Sequence, residues 1–466
     1  MITRRTSLIR FTIFLLLVLI VGCDTLTNTR GSSAAMNQKE PNKEIHLALR
    51  QLESQDPNKR ISAIRKIGQM GPKGSVAVSN LNRLLDDSSS GLLDGRKTTV
   101  QKEAIRALAN IGDIESLTQA LTHKNSLVRA YSVFYLGELG ERSVLSIDKI
   151  VPLLDNISME IRWSRHSPIR EGMSSNLTSE AELAADALRK IGKSAMPALL
   201  GALKNSKGAF HAAKALGRMG DRQAVPALID ALSSDNSLLR REAAQALGNL
   251  GDERAVSPLT RLLKDKDAMV RRESAIALGK LKDRRVGPEL EPLLYDNDSL
   301  VRSAAASSLG EIGGPQSMKT LQAVLKDDVG FVRQRAAIAL VKMGGGKDEP
   351  EVAKILFQML KSDDLEDCEE AANALARIGD HTALRPLVDC LKEIDQIFSS
   401  RIKNIHLLLA GNASPQVTKE FETRLRRDAD HAKQAVVKAL SVISGKNLGQ
   451  RPEDWEAFLG SGKILK

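Results

Sequence analysis

Apolar and polar positions follow a pattern that recurs every 31 residues between positions 236 and 344. In the copy at 298–313, apolar and small side chains fall three or four residues apart: Val301, Ala305, Ser308, Leu309 and Ile312. This spacing predicts an amphipathic helix of about three to four turns with one apolar face. Asp298 is a typical N-cap residue, and Gly313 suits the left-handed conformation that ends a helix.

A second apolar pattern in the same copy predicts a second helix, whose inner face carries Met318, Leu321, Val324 and Leu325. One pair of helices cannot cover its apolar faces alone, so successive copies must stack. A fixed period of about 20 to 50 residues is the signature of such stacks. We therefore predict an all-α fold, an α-solenoid (superhelix) of about ten helix pairs over residues 44–445, with an insertion at 157–178.

The repeated residues resemble the HEAT repeat, in the variant named after phycobilisome lyases (PBS lyases). The shared pattern is Asp/Asn-x-x-Val/Leu-Arg-x-x-Ala-x-x-Ala-Leu-Gly-x-Leu/Ile-Gly-Asp, and it covers roughly residues 44–445. The resemblance implies the solenoid fold but leaves the function open, because such arrays serve many roles. Enzymes of this class are bilin lyases and a hydroxylase that binds iron through His-Glu pairs. None of the seven histidines here precedes a glutamate, so the iron site is not expected.

The N-terminus has the features of an export signal. An arginine-bearing start is followed by an apolar run at 11–21. That run has the length of a signal-peptide core and falls short of the ~20 residues that a transmembrane helix needs. The segment Ile20-Val21-Gly22-Cys23 resembles the bacterial lipobox. This resemblance implies a lipoprotein signal peptide at 1–22, cleavage before Cys23 and acyl chains such as palmitate on that residue. An ordinary signal peptide or an uncleaved anchor is the alternative.

The segments that flank the repeats are interpreted from composition. Residues 23–43 are polar and lack periodicity, which predicts a flexible tether. Asp24 resembles the retention signal of inner-membrane lipoproteins, which favours the periplasmic face of the inner membrane. Residues 446–466 are expected to form a capping tail, with Trp455 and Phe458 covering the end of the stack.

A ladder of arginines is the most regular charged feature, and its members are Arg129, Arg240, Arg271, Arg302 and Arg333. One interpretation is a binding stripe for acidic ligands. We favour a structural role, because aspartates of the preceding connections lie nearby: Asp235, Asp265, Asp296 and Asp327. Ion pairs between neighbouring repeats would then neutralise the arginines.

A second charged candidate lies in the insertion and comprises Arg162, Trp163, Arg165, His166 and Arg170. An aromatic anchor beside cationic groups is typical of a partner-binding loop. The alternative is a loop with a half-buried tryptophan and no partner. The full chain carries a net charge of +11, three of whose positive charges fall in the signal peptide. We do not expect nucleic acid as a ligand, because the outward positions of the second helices, which line the concave side of HEAT arrays, mix acids and bases and carry neither clustered cations nor stacking aromatics.

No catalytic or metal-binding motif is found, so we expect no enzyme activity, no cofactor and no metal. Cys368 and Cys390 are interpreted as free core thiols rather than a disulfide. The hypothesis is a lipid-anchored, exported scaffold or adaptor of the bacterial cell envelope. Its partner would be another protein, and its membrane contact would be through the lipid anchor only. The alternatives are an enzyme or enzyme subunit of the lyase-like or hydroxylase-like class, and a purely structural envelope protein.

Overall fold

A computed structural model of the chain describes residues 40–93, 96–156, 160–162, 177–409 and 415–461. The predicted all-α solenoid is confirmed, since most of these residues lie in helices and few lie in strands. The chain divides into two compact units, Met1–Ile111 and Gly112–Lys466, which are described one at a time. The first helix described begins at Glu40, slightly before the predicted start of the repeats at residue 44.

The first unit contains four described α-helices, Glu40–Leu52, Pro57–Gln69, Val78–Arg83 and Val100–Ile111, and 3-10 turns at Gly71–Ala77 and Leu84–Asp86. Between the last two α-helices, strands Ser90–Leu93 and Arg96–Thr99 pair antiparallel, with Ser90 opposite Thr99. The sequence shows only a serine- and glycine-rich interruption here. Within the hairpin's second strand, the buried Thr98 hydroxyl donates to Glu103 at 2.8 Å, so the hairpin is fixed to the following helix.

The second unit is a stack of helix pairs. The first helices of the pairs are Ser126–Glu138, Glu180–Ile191, Ala209–Met219, Ser237–Leu250, Ala268–Leu281, Ser299–Ile312, Gly330–Lys342 and Leu365–Ile378. The second helices are shorter: Ile147–Ile150, Met196–Asn205, Val225–Ala231, Val256–Arg261, Gly287–Leu290, Pro315–Val324 and Pro350–Met359. The helix Ile114–Gln119 precedes the stack, and 3-10 turns extend several second helices. The strands Glu160–Arg162 and Leu177–Ser179 pair antiparallel at the two ends of the insertion.

The ends of the first helices follow from local chemistry. Asn236, Asp267 and Asp298 each accept a hydrogen bond from the backbone N–H two residues later, at 2.8–3.0 Å. At the other end, Gly251 has a φ of 65°, and Lys282 adopts the same left-handed conformation with a φ of 56°. The lysine therefore accepts a backbone strain that glycine avoids in the neighbouring repeat.

Close contact between successive first helices depends on a glycine that follows the leucine found at the same position of each repeat. A Cβ atom added at Gly248 would lie 2.8 Å from the Cα atom of Ala277, and one at Gly310 would lie 2.8 Å from that of Ala339. Such a separation leaves no room for a side chain. Val341 occupies the equivalent position in the helix Gly330–Lys342, and this helix contacts the next first helix much less extensively. The stack is therefore least tight at this junction.

The C-terminal part departs from the repeat pattern. Two long helices, Leu384–Leu409 and Pro415–Ser444, are followed by the short helix Pro452–Gly460. Trp455 is fully buried, and its indole N–H donates to the carbonyl oxygen of Gly449 at 2.8 Å. Its ring lies 6.4 Å from that of Phe458. Within the residues described, none of the helices combines the length and apolar composition needed to cross a bilayer.

Candidate functional site

The arginines of the ladder are held in a repeated geometry on the first turn of each first helix. Arg240 donates from Nε and Nη2 to both oxygens of Asp265 at 2.8 and 2.9 Å. Arg271 holds Asp296 in the same way at 2.7 and 2.8 Å, and Arg302 holds Asp327 at 2.8 and 2.9 Å. Each aspartate follows its arginine by 25 residues, so it lies in the connection after the second helix rather than in the preceding one. Three of the four predicted acids, Asp265, Asp296 and Asp327, are therefore ion-pair partners, but each pairs with the arginine of the repeat before it rather than of the repeat after it.

The third nitrogen of each guanidinium binds the connection that precedes its own helix. Nη1 of Arg271 donates to the carbonyl oxygen of Asp265 at 2.8 Å, and Nη1 of Arg302 donates to that of Asp296 at 2.9 Å. One arginine therefore joins two successive connections through its own helix. Bidentate arginine–carboxylate contacts are strong and geometrically specific. The ladder ties neighbouring repeats together.

The ion pairs also change the electrostatics of the ladder. The hydrogen bond from Arg240 to Asp265 raises the pKa of the guanidinium, and burial opposes this effect. Burial pushes the pKa of the Asp265 carboxyl up, but the hydrogen bonds from Arg240 and from the Asp267 backbone bring it below its usual value. Both partners remain charged at neutral pH. Their charges compensate each other locally, which leaves little for an external acidic ligand.

The two ends of the ladder differ from its centre. Arg129 pairs with Glu180 at 2.6 and 3.1 Å across the insertion, and this glutamate is fully buried. Arg333 donates from Nη1 to the carbonyl oxygens of Asp327 and Asp328 at 2.7 and 3.1 Å. Ser362 stands at the position where the earlier repeats have the paired aspartate. Within the described residues, no carboxylate forms an ion pair with Arg333.

Cys368 occupies the arginine position of the next repeat, four residues after the N-cap Asp364. Its thiol lies 3.5 Å from the carbonyl oxygen of Ser362, which corresponds to the carbonyl bound by the arginines. Cys368 and Cys390 are both buried and are not joined by a disulfide. A hydrogen bond between their thiols lowers the pKa of Cys368 and raises that of Cys390.

Two predicted sites fall mainly outside the described residues. Arg162 ends the strand Glu160–Arg162, and the remaining members of the candidate loop, Trp163, Arg165, His166 and Arg170, lie outside the described residues. Cys23 also lies outside them. In the described parts of the chain, no group of three or more His, Cys, Asp or Glu side chains is arranged to hold a metal ion.

The sequence analysis did not identify one row of partly exposed apolar side chains. We call it the apolar stripe, and its members are Leu238, Met269, Leu300 and Phe331, each 31 residues after the last. Leu238 is 42%, Leu300 44% and Phe331 38% exposed, and Met269 is half-buried. The first three lie two residues after an N-cap, whose side chain binds their backbone N–H. The signal was available as an apolar residue at one fixed place in four successive repeats.

The stripe continues from repeat to repeat because the first helices that carry it pack side by side. Helices in contact lie about 8–10 Å apart, so neighbouring members of the stripe are spaced by about that distance. Single exposed apolar residues are common on protein surfaces, whereas contiguous apolar patches mark interaction sites. Tyr295, which is 66% exposed, lies in the connection just before the helix of Leu300. The arrangement is suited to contact with another surface.

A groove of about 630 Å³ opens on the second-helix side at the loose junction. It runs along the helix Pro350–Met359 and is lined there by Ala353, Lys354 and Phe357. The loop before this helix contributes Lys347, Asp348 and Glu349 to the lining, and the next repeat contributes Asp380. This mixture of one aromatic ring with charged groups is suited to binding a peptide-like ligand.

A comparison with protein-family models identifies the repeat type. Residues 196–276, 261–341 and 332–405 match a family model of HEAT repeats. No curated protein matches the chain in sequence. The complex of CpcE and CpcF of phycocyanin lyase from Nostoc sp. PCC7120 is 26% identical over 50% of this chain and 93% of that chain, with a TM-score of 0.35.

Two further structures are similar. Kap121p bound to Nup53p is 14% identical, covers 94% of this chain and 55% of that chain, and has a TM-score of 0.53. Human deoxyhypusine hydroxylase in complex with glycerol is 22% identical over 59% of this chain and 99% of that chain, with a TM-score of 0.25. The likeness to Kap121p shows a shared solenoid fold. Residues 196–405 are accordingly an array of HEAT repeats.

Proposed function

Starting from an array of HEAT repeats at residues 196–405, we propose that the chain is a lipid-anchored, exported adaptor that binds another protein at the bacterial cell envelope. The apolar stripe is the observation that carries the binding part of this proposal. Leu238, Leu300 and Phe331 each leave about two fifths of their surface in contact with water at equivalent places. Covering a row of this kind with a partner's apolar side chains is favourable at about 25 cal/mol per Å².

The ladder supports the same interpretation, because its arginines are not available as an alternative binding surface for an acidic partner. Arg240, Arg271 and Arg302 are engaged with aspartates of the chain itself. The apolar stripe, whose members lie two residues before these arginines on the same helices, therefore offers the apolar contact. The ion pairs tie neighbouring repeats together and keep the spacing of these helices fixed. A rigid, preformed row loses little conformational entropy on binding. The role assigned to the chain is recognition without catalysis of its own.

The anchoring part of the proposal rests on the sequence around Cys23. Cleavage before this residue and acylation would hold the repeats near a membrane through the tether. Asp24 favours the periplasmic face of the inner membrane. Membrane contact would be through the lipid alone, because a protein with two acyl signals is stably anchored without a spanning helix.

The anchoring is tested by the mass of the mature N-terminal peptide in the native host. We expect a peptide that starts at Cys23 with the added mass of its acyl chains. A Cys23→Ser variant should lose the modification and leave the membrane fraction. An unmodified N-terminal peptide that starts at another residue would contradict the anchoring and leave the stripe unaffected.

The binding is tested by co-purification from the native host. A Leu300→Gln, Phe331→Gln variant should lose its partner, because two members of the stripe become polar. The control is Lys319→Gln, Lys326→Gln, which changes two exposed residues of the second helix Pro315–Val324 and its following connection. Equal partner recovery with both variants would contradict a role for the stripe, provided that both variants melt at the temperature of the parent protein.

A further inference from the structure

The groove beside the helix Pro350–Met359 arises where several features of the repeat change together. Val341 replaces the glycine that allows close packing of first helices. The connection to the second helix is longer here and contains Gly344, Gly345 and Gly346. Where these changes occur, the first helices of this repeat and the next are in much less extensive contact than those of the earlier repeats. The groove is thus a product of the local sequence rather than of the fold in general.

The floor of the groove is apolar and contains the half-buried Phe357. Ala353 and Pro350 line the same helix face, about one and two turns before the phenylalanine. In the preceding repeat, the residue equivalent to Phe357 is Gln322. The aromatic ring is therefore particular to this repeat, and aromatic residues in partly enclosed sites are frequent anchors of protein interfaces.

The charges along the groove are unequally engaged. Glu349 accepts a hydrogen bond from Gln322, and Asp380 accepts two from Thr382. Lys354 pairs with Glu351 at 3.2 Å, but the two side chains are 64% and 42% exposed, so this ion pair is weak. Lys361 is exposed and forms no ion pair within the described chain. Lys354 and Lys361, the two exposed lysines near Phe357, are thus available to an incoming anion.

We propose that this groove binds an extended acidic peptide segment of a partner protein, with an apolar side chain on Phe357 and carboxylates beside Lys354 and Lys361. This site is separate from the apolar stripe, so the two can be tested independently. The acids Asp348 and Glu349 at the N-terminal end of the helix, together with Asp380 of the next repeat, disfavour a uniformly charged polyphosphate such as nucleic acid. A peptide can match both ends because its charge varies along its length.

The test is fluorescence anisotropy with the full chain and a labelled synthetic peptide in which glutamate and leucine alternate. We expect binding that weakens as salt rises. Phe357→Gln should weaken it about tenfold, because the anchoring ring is lost. This substitution copies the residue of the preceding repeat, so the helix should remain folded. Lys361→Glu should weaken binding about fivefold through repulsion of the peptide.

The matched control is Lys264→Glu, an exposed lysine at the same place of an earlier repeat. It should leave the affinity unchanged. Equal loss with Lys264→Glu and Lys361→Glu, or equal binding of a peptide with lysine in place of glutamate, would overturn the proposal. Groove-dependent binding of anionic vesicles or an oligonucleotide in place of the peptide would also overturn it. None of these outcomes alters the expected loss of partner in the stripe variant.

Discussion

The repeats from Ser237 to Ile312 and the junction that follows the helix Gly330–Lys342 are built from the same pattern but are completed differently. In the first region, glycines allow backbone contact, and each ladder arginine has an aspartate. At the junction, Val341 replaces the glycine, Ser362 the aspartate and Cys368 the arginine. In the regular region the ladder charges are paired within the chain, and the apolar stripe is the surface left for a partner. At the junction, the departures from the repeat coincide with a groove.

The largest expected effect comes from breaking the ladder in the regular region. Arg271→Ala leaves the Asp296 carboxylate, which is only 11% exposed, without its ion pair. We expect a loss of about 3 kcal/mol in the free energy of unfolding, because the stranded charge stays partly buried. Arg333→Ala, which strands no carboxylate, should cost about 1 kcal/mol for its lost hydrogen bonds. Urea denaturation of both variants measures the difference, and equal losses would contradict the comparison.

A smaller effect is expected from closing the glycine contact. Gly310→Ala forces a Cβ atom to within 2.8 Å of the Ala339 backbone. We expect a loss of about 2 kcal/mol, because neighbouring helices must move apart. Gly201→Ala is the matched control, since a Cβ atom there meets no atom within 4 Å. Alanine favours the helix over glycine, so the control should gain up to about 1 kcal/mol. Stabilisation by both substitutions would show that the helices are not packed as described.

The pH dependence of stability should also follow the ladder. Asp265 and Asp296 have pKa values below that of an unfolded aspartate, because hydrogen bonds from arginine and backbone outweigh their burial. The hydrogen bonds from Arg254 lower the pKa of Asp252 to about 2. Their stabilisation is present above about pH 4, the pKa of an unfolded aspartate. It is lost as the pH falls through the folded values.

Thermal melts between about pH 5 and pH 2 measure this loss. The melting temperature of the parent protein should fall steadily with acidification. A double variant, Arg240→Met with Asp265→Leu, removes one pair entirely and should show a shallower fall. An identical pH profile for the two proteins would contradict the role of the ladder aspartates.

The smallest effect is expected from restoring the ladder at the junction. Ser362→Asp places a carboxylate opposite Arg333, where the earlier repeats have one. The new pair should stabilise the chain by at most about 1 kcal/mol, and Asp367 nearby opposes it by like-charge repulsion. A double-mutant cycle with Arg333→Ala isolates the coupling between the two side chains. A coupling free energy of zero would show that the side chain at position 362 does not reach Arg333, which would contradict the ladder geometry assigned to Arg333.

Much of the fold was readable from the sequence, because the period of 31 residues and the caps at Asn236 and Asp298 are local signals. The partner of each arginine was not readable, because the stacking of repeats decides which connection lies beside it. The apolar stripe was readable as a period, but the period alone does not show that these side chains face water. The groove was not, because it depends on the separation of two repeats at Val341. The hairpin at Ser90–Thr99 was missed because its few residues carry no strand periodicity.

The central claim is that the chain works by presenting the apolar stripe to another protein, and in-cell photo-crosslinking tests it most directly. A photo-reactive amino acid at position 300, on the stripe, is compared with one at position 319, on the exposed side of a second helix. We predict a discrete crosslinked protein at position 300 and none at position 319. The same product at both positions, or no product at 300, would contradict the claim.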